Sequence, residues 1–172
     1  IHWPVPGCFC AAYKELEVLH EEGKLRALGV SNFDRHEYEE LVRSGIRVPV
    51  TCNQIEVSPK MFRQELIEFF QRRNILIIAY KPLLRGAALP DPVIAKIASG
   101  NGASPAQVVL RWGLQKGFVL ATKTSSAIRM KENRNLFHFM LNEGEIEELD
   151  SLTSDEDLQK RDEHEKMRKT SL

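Results

Sequence analysis

Polar side chains that are able to bind a ligand follow five short apolar runs of the sequence. Each group stands where its run ends, and together they offer an imidazole, amides, hydroxyls and cations: His2 and Trp3, Ser31 and Asn32, Asn53 and Gln54, Tyr80 and Lys81, and Lys123 to Ser125. Such groups are costly to bury without partners. Since the active sites of β/α barrels lie at the carboxyl ends of the strands, the pattern predicts one polar site.

Each group taken alone also fits a purely structural role. Ser31 and Asn32 suit a turn that precedes a helix. Tyr80 suits a buried aromatic whose hydroxyl is paired, and a single histidine such as His2 is more often structural. Lys123 suits an ordinary solvated charge. These alternatives stay open as long as each residue is considered by itself.

The segments that must position these residues alternate between short β-type runs and amphipathic stretches. The predicted strands are Ile1–Trp3, Leu25–Val30, Val50–Gln54, Leu76–Tyr80 and Phe118–Ala121. The predicted helices are Asp34–Arg43, Phe62–Arg73, Pro92–Ser99, Pro105–Lys116, Ile128–Phe137 and Glu143–Leu152. The run at Leu76–Tyr80 is almost wholly apolar, which is typical of a strand buried on both faces.

This alternation predicts parallel β/α units joined by right-handed crossovers. Strand starts near Leu25, Thr51 and Leu76 lie about 25 residues apart, as in successive barrel units. Five strands cannot close a barrel that needs eight, and no G-x-G-x-x-G segment favours an open dinucleotide fold. The chain also does not begin with Met. We therefore expect an α/β fold in which either the sheet is open and doubly wound or the rest of a (β/α)8 TIM-type barrel is missing.

The composition excludes some classes of binding partner. Lys and Arg number 24, as do Asp and Glu, so no net charge attracts nucleic acid or an anionic membrane surface. Apolar stretches such as Ile75–Ala79 are far shorter than the roughly 20 residues of a spanning helix, and no signal peptide is visible. Cys8, Cys10 and Cys52 have the spacing of neither a disulfide framework nor a zinc site. We expect a cytoplasmic monomer or weak oligomer without a metal.

The last 20 residues differ from the rest. From Thr153 onward the charges are mixed and apolar residues are almost absent. Such a segment cannot offset its ordering entropy by burial, so a solvated tail or a frayed helix is expected. The predicted boundaries are 1–152 for the folded domain and 153–172 for the tail.

Several of these segments, in this order, resemble the aldo-keto reductase family over residues 1–152. The matching motifs are Ile1–Pro4, Gly29–Phe33, Cys52–Glu56 with Ser58 and Pro59, Ala79–Leu83, Ser104–Trp112, and Lys123–Ser125 followed by Arg129, Glu132 and Asn133. The resemblance implies the (β/α)8 TIM-barrel fold, incomplete here, with only about the last five β/α units present. It also implies NADP(H) as cofactor, a small-molecule carbonyl substrate, and reduction of aldehydes or ketones to alcohols.

The resemblance also implies roles for single residues. Around the nicotinamide, Ser31, Asn32 and Gln54 would hold the carboxamide, and Tyr80 would stack on the ring. Lys81 and Leu83 belong to the loop over the pyrophosphate. At the adenosine end, Lys123 and Arg129 would bind the 2′-phosphate, and Thr124 and Ser125 would add hydroxyl bonds. Glu132 and Asn133 would contact the adenine. His2 would polarise the substrate carbonyl, and Trp3 would wall the substrate pocket.

Some residues depart from the family pattern. The family's catalytic Asp, proton-donating Tyr and Lys lie on earlier strands, and none has a counterpart here, so we expect this chain to be inactive alone. Lys81 replaces a usual serine, Leu84 a usual glycine, and Ala121 a common proline. Two other functions stay open: a non-catalytic nicotinamide-binding subunit or degenerate paralogue, and a structural β/α domain that binds partners through its open sheet edges.

Overall fold

The computed structural model describes residues 1–170 as four strands and eight α-helices. The strands are β1 Leu28–Ser31, β2 Val50–Glu56, β3 Leu76–Tyr80 and β4 Val119–Ala121. The helices are α1 Phe9–Glu21, α2 Arg35–Arg43, α3 Gln64–Gln71, α4 Pro92–Gly100, α5 Pro105–Gln115, α6 Ala127–Arg134, α7 Glu143–Asp150 and α8 Asp155–Thr170, and a 3-10 turn spans Leu84–Gly86. All six predicted helices and four of the five predicted strands are confirmed, with shifted ends.

The first three residues do not form the predicted strand. The α-amino group of Ile1 donates to the Gly29 carbonyl at 2.9 Å, so the segment does lie beside β1. However, Pro4 has no N–H to continue a ladder, and the amide of Val5 donates to the Trp3 carbonyl at 3.0 Å, which turns the chain. The prediction of a strand here is therefore wrong.

The four described strands form one sheet in the order β1-β2-β3-β4, the order expected for successive β/α units. β1 and β2 are parallel, and Ser31 lies opposite Gln54. β3 is not buried on both faces as predicted: Ile77 and Ala79 are buried, whereas Leu76 is 56% exposed. Burial therefore alternates along β3 with the period of two that a one-sided strand shows.

The chain divides into two compact units. The first comprises Ile1–Ile55, Arg63–Ile78 and the described residues from Gln159, and the second comprises Glu56–Phe62 and Ala79–Leu158. Among the buried side chains of the first unit are Phe9, Tyr13, Phe33, Leu41, Ile67 and Phe70. Those of the second include Phe62, Ile94, Val108, Leu110, Trp112 and Leu149.

A buried carboxylate fixes the approach to β2 in the first unit. Glu17 is 1% exposed, and its Oε1 accepts hydrogen bonds from the amides of Arg47 and of Val48, the latter at 2.7 Å. Burial would raise the pKa of Glu17, but these two amides and the Arg47 charge hold that pKa below its ordinary value of 4.5. The Tyr13 hydroxyl donates to the Val48 carbonyl at 3.1 Å, and burial raises its pKa.

The segment from Thr153 is not only a solvated tail. It forms α8, on which Arg161 and Glu165 are buried and paired with each other. Arg161 also contacts Asp34, which accepts a hydrogen bond from Arg63 at 2.6 Å. The expectation of a solvated tail is therefore wrong for these two side chains, because ion pairing offsets the cost of burying their charges.

No helix within the described residues has both the length and the apolar character needed to cross a membrane.

Glu17→Gln tests the buried carboxylate. The variant should lose about 1 kcal/mol of unfolding free energy at pH 7, since the amide oxygen is a weaker acceptor than a carboxylate. The pKa of Glu17 is lowered in the folded state, so its contribution is complete above pH 4.5 and is lost as the pH falls through the folded value. Urea unfolding at several pH values should show the difference from wild type shrinking in acid. Glu15→Gln, on the exposed side of α1, should match wild type throughout.

Candidate functional site

The carboxyl ends of β1 and β2 are joined by polar bonds at the motif Gly29–Phe33. Asn32 directly follows β1 and lies in the left-handed region, with φ 60°, where asparagine is tolerated better than most residues. The Ser31 hydroxyl and the Asn32 amide both donate to the Gln54 carbonyl, at 2.7 and 2.9 Å. The turn after β1 is therefore tied to β2 at this one carbonyl oxygen.

The side chain of Asn32 makes a second connection. It is 2% exposed, and its Nδ2 donates to the His2 carbonyl and to the Ser31 hydroxyl, both at 3.1 Å. Ser31 and Asn32 thus perform the structural role that the sequence left open for them. The half-buried side-chain amide of Gln54 has no hydrogen-bond partner among the described residues, so its donor and acceptor are available to a ligand.

His2 and Trp3 present their side chains close together. The two rings are 6.0 Å apart at an angle of 54°, with the His2 side chain exposed and Trp3 half-buried. Since Asn32 holds the backbone of His2, the imidazole projects from an anchored segment. An exposed imidazole can donate a hydrogen bond to a ligand oxygen.

In the second unit, a half-buried charge pair joins the residue that follows β3 to the end of β2. Lys81 Nζ lies 2.8 Å from Glu56 Oε2, and it also lies 5.5 Å from the ring centre of the half-buried Tyr80. The Lys81 charge, expected from the sequence as an extra cation near a pyrophosphate, is matched by a carboxylate. In the sequence Glu56 stands out only as part of a motif, and no spacing there indicates this pairing.

The loop after Lys81 runs through an unusual backbone course. Lys81, Leu84 and Arg85 have φ of 49°, 46° and 57°. Each such non-glycine residue costs roughly 1–2 kcal/mol relative to right-handed backbone. Leu84, which replaces a usual glycine, thus falls at a left-handed position. The half-buried Leu83 accepts a bond from the Gly86 amide at 2.7 Å, which closes the turn.

A second polar group lies at the start of α6. Thr124 Oγ1 accepts from the Ser126 amide and from Arg129 Nε, both at 3.2 Å, and Ser126 caps the helix by accepting from the Arg129 amide. Lys123, Ser125 and Arg129 are exposed. In the described part of the chain neither Lys123 nor Arg129 has a carboxylate partner. The arrangement suits an anion, because two cations and hydroxyls stand at a helix N-terminus.

Farther along α6, the two residues expected at an adenine are half-buried: Glu132 and Asn133. Gln107 of α5 fixes the end of this helix. Its Nε2 donates to the carbonyls of Glu132 at 3.4 Å and Asn135 at 2.8 Å, while its Oε1 accepts from the Ser104 amide. In the sequence Gln107 stands out only as part of the motif Ser104–Trp112, and nothing there indicates its role in positioning α6.

Each unit brings some of the predicted residues together. The first joins Ser31, Asn32 and Gln54 to the backbone of His2. The second joins Lys81 to Glu56 and Arg129 to Thr124. That both sets contact a single dinucleotide stays a prediction.

Comparison with known proteins identifies the family that the chain resembles. A sequence model of the aldo/keto reductase family matches residues 1–154. The uncharacterized oxidoreductase YtbE of Bacillus subtilis (strain 168) is 40% identical over 152 residues, which cover 88% of this chain and 54% of that protein. Glyoxal reductase of the same organism is 37% identical over 156 residues, covering 91% and 56%. The chain spans about half the length of the curated relatives it matches.

Solved structures agree with this result. An aldo/keto reductase from Brucella melitensis matches with a TM-score of 0.82 at 35% identity, covering 88% of this chain and 59% of that one. The NADPH complex of a Gox0644 mutant matches with a TM-score of 0.85 at 34% identity, covering 91% and 58%. The α/β fold described above is thus shared with these proteins.

Gly29 explains part of the motif after β1 and gives a test of it. Gly29 lies opposite Cys52, and a Cβ added at Gly29 would clash with the Cys52 sulfur. Gly29→Ala should therefore lower the unfolding free energy by about 1–3 kcal/mol, measured by urea denaturation. Adding Cys52→Ala should recover part of the loss, whereas additive effects of the two changes would argue against a direct clash. Gly100→Ala, where nothing lies within 4 Å of the added carbon, is the matched control.

Proposed function

Because the chain belongs to the aldo/keto reductase family, we propose that it binds NADP(H) and serves the reduction of aldehydes or ketones to alcohols. Two known proteins support the reaction and the cofactor. One relative is named glyoxal reductase, and one solved structure of similar fold is a complex with NADPH. The proposal includes the fold: residues 1–152 contribute about five β/α units of an eight-stranded barrel. The substrate is a small carbonyl compound.

The observation that carries the proposal is the cation group at α6. Lys123 and Arg129 are exposed and lack acidic partners among the described residues, and Arg129 is already oriented by Thr124. A 2′-phosphate would compensate both charges, whereas the ribose hydroxyl of NAD(H) would not. Thr124 and Ser125 would add hydroxyl contacts, and Glu132 and Asn133 would face the adenine.

The nicotinamide end fits the polar edge of β1 and β2. A carboxamide has two donor hydrogens and one acceptor, which the available amide of Gln54 complements. Ser31 and Asn32 would complete this contact while keeping their bonds to the Gln54 carbonyl and the His2 backbone. Tyr80 would lie against the ring, and Leu83 together with Lys81 would border the phosphates.

When bound, the dinucleotide supplies the hydride. The chain's own contribution is to position the substrate and to stabilise charge on its oxygen. The exposed imidazole of His2 would donate a hydrogen bond to the carbonyl oxygen, which becomes negative as the hydride arrives. Trp3, whose ring lies 6.0 Å from that of His2, would limit the size of the bound carbonyl compound.

The alkoxide must also receive a proton, and the chain offers no suitable tyrosine. The hydroxyl of Tyr13 is used in a bond to Val48, and its side chain is fully buried. Tyr38, on α2, packs edge-on against Phe69 and Phe70 of α3. Tyr80 is assigned to the nicotinamide. We therefore propose that these 172 residues bind the cofactor without turning over substrate.

Affinity for the two dinucleotides tests the cation group. The chain should bind NADP⁺ much more tightly than NAD⁺ in fluorescence or calorimetric titrations. Lys123→Ala and Arg129→Ala should each weaken NADP⁺ binding about 10-fold, which is about 1.4 kcal/mol, and should leave NAD⁺ binding unchanged. Lys131→Ala removes an exposed cation from the same helix and should bind NADP⁺ like wild type. Equal affinity for NADP⁺ and NAD⁺ would refute the assignment of a 2′-phosphate site.

Turnover tests the missing proton donor. We expect no consumption of NADPH above the uncatalysed rate when the chain is mixed with aldehydes and ketones, followed by absorbance at saturating cofactor. The titration above is the internal control, because bound cofactor with no turnover separates a missing donor from a missing site. A rate comparable with that of full-length reductases would contradict this part of the proposal.

A further inference from the structure

An ion pair joins the end of β2 to the start of the loop after β3. Lys81 Nζ and Glu56 Oε2 are 2.8 Å apart, and their side chains are only 33% and 17% exposed. Ion pairs sheltered from water are screened less than those at the open surface. Because the two residues lie 25 positions apart in the chain, the pair links two elements rather than stabilising one.

The loop that begins at Lys81 needs such an anchor. Lys81, Leu84 and Arg85 all have positive φ, so the loop stores strain that its surroundings must support. The Leu84 amide donates to the Lys81 carbonyl at 2.8 Å, so the backbone of Lys81 also forms the first corner of the turn. Glu56 therefore fixes, through one side chain, the residue from which the strained loop starts.

The three cations of the second unit that are predicted to bind phosphate differ in whether they have an acidic partner. Lys81 is neutralised by Glu56, whereas Lys123 and Arg129 have no acidic partner among the described residues. A carboxylate close to a cation reduces the attraction of that cation for phosphate, and it also repels the phosphate directly. Removing the Glu56 charge while keeping its shape should thus expose the full charge of Lys81.

We propose that Glu56 sets the affinity of the site for the dinucleotide phosphates by competing with them for Lys81, while it clamps the strained loop Lys81–Gly86 when no ligand is bound. The inference rests on the proposed function for the identity of the ligand. The clamp itself depends only on the ion pair and the loop geometry.

Binding of NADP⁺ measures the competition. At low salt, Glu56→Gln should bind NADP⁺ about 2- to 5-fold more tightly than wild type, and the gain should shrink as salt is added. Lys81→Ser should remove most of this gain, so the double variant should bind like Lys81→Ser alone. Glu148→Gln, which breaks the exposed pair with Lys96, changes net charge equally and should bind like wild type. Unchanged or weaker binding by Glu56→Gln would overturn the competition.

Limited digestion with trypsin measures the clamp without any ligand. Lys81 precedes a proline and resists trypsin, so cleavage within the loop reports on the exposed Arg85. Glu56→Gln should be cut after Arg85 several-fold faster than wild type or Glu148→Gln, as read by mass spectrometry. Equal rates would overturn the clamp. If no variant binds NADP⁺, the proposed function and the competition both fail, whereas binding by all variants with equal affinity overturns only the competition.

Discussion

The turn after β1 depends on one requirement, that the buried donors of Ser31 and Asn32 find an acceptor. The Gln54 carbonyl meets this requirement for two donors at once, the Ser31 hydroxyl and the Asn32 amide. The Asn32 side chain then extends the network to the backbone of His2. Residues from three parts of the sequence are thereby held at fixed spacing. The backbone of Gln54 carries this network, and its side-chain amide has no hydrogen-bond partner within the described part of the chain.

The helices were predictable because their starting signals are local. Ser104 and Gln107 exchange the two bonds of a capping box within four residues of one another. By contrast, the apolar character of Ile1–Trp3 predicted a strand, but Pro4 ends the hydrogen-bonding pattern beside β1. The burial of Arg161 was not predictable either, since one of its partners, Asp34, lies 127 residues away in the chain.

Only part of the candidate site could be predicted from the sequence. Motif order correctly indicated the family, and it placed Ser31 and Tyr80 at the ends of their strands. It did not reveal that Lys81 is paired with Glu56, because such pairing depends on the proximity of two elements and not on spacing within either. Nor could the sequence show that Leu84 adopts a backbone conformation that suits glycine. The effects of the residues at positions 81 and 84 are thus explained by the backbone conformation and by their partners in the fold.

Asp34 contacts residues from three separate segments of the chain. Its amide bonds to Glu37 at the start of α2, and its carboxylate meets both Arg63, just before α3, and Arg161 on α8. It also follows Asn32 by two residues. Three distant parts of the chain therefore share a single acidic side chain. A change that displaces α8 would therefore remove one cation from Asp34 and would reach the segment after β1, although Asp34 and Arg161 lie 127 residues apart in the chain.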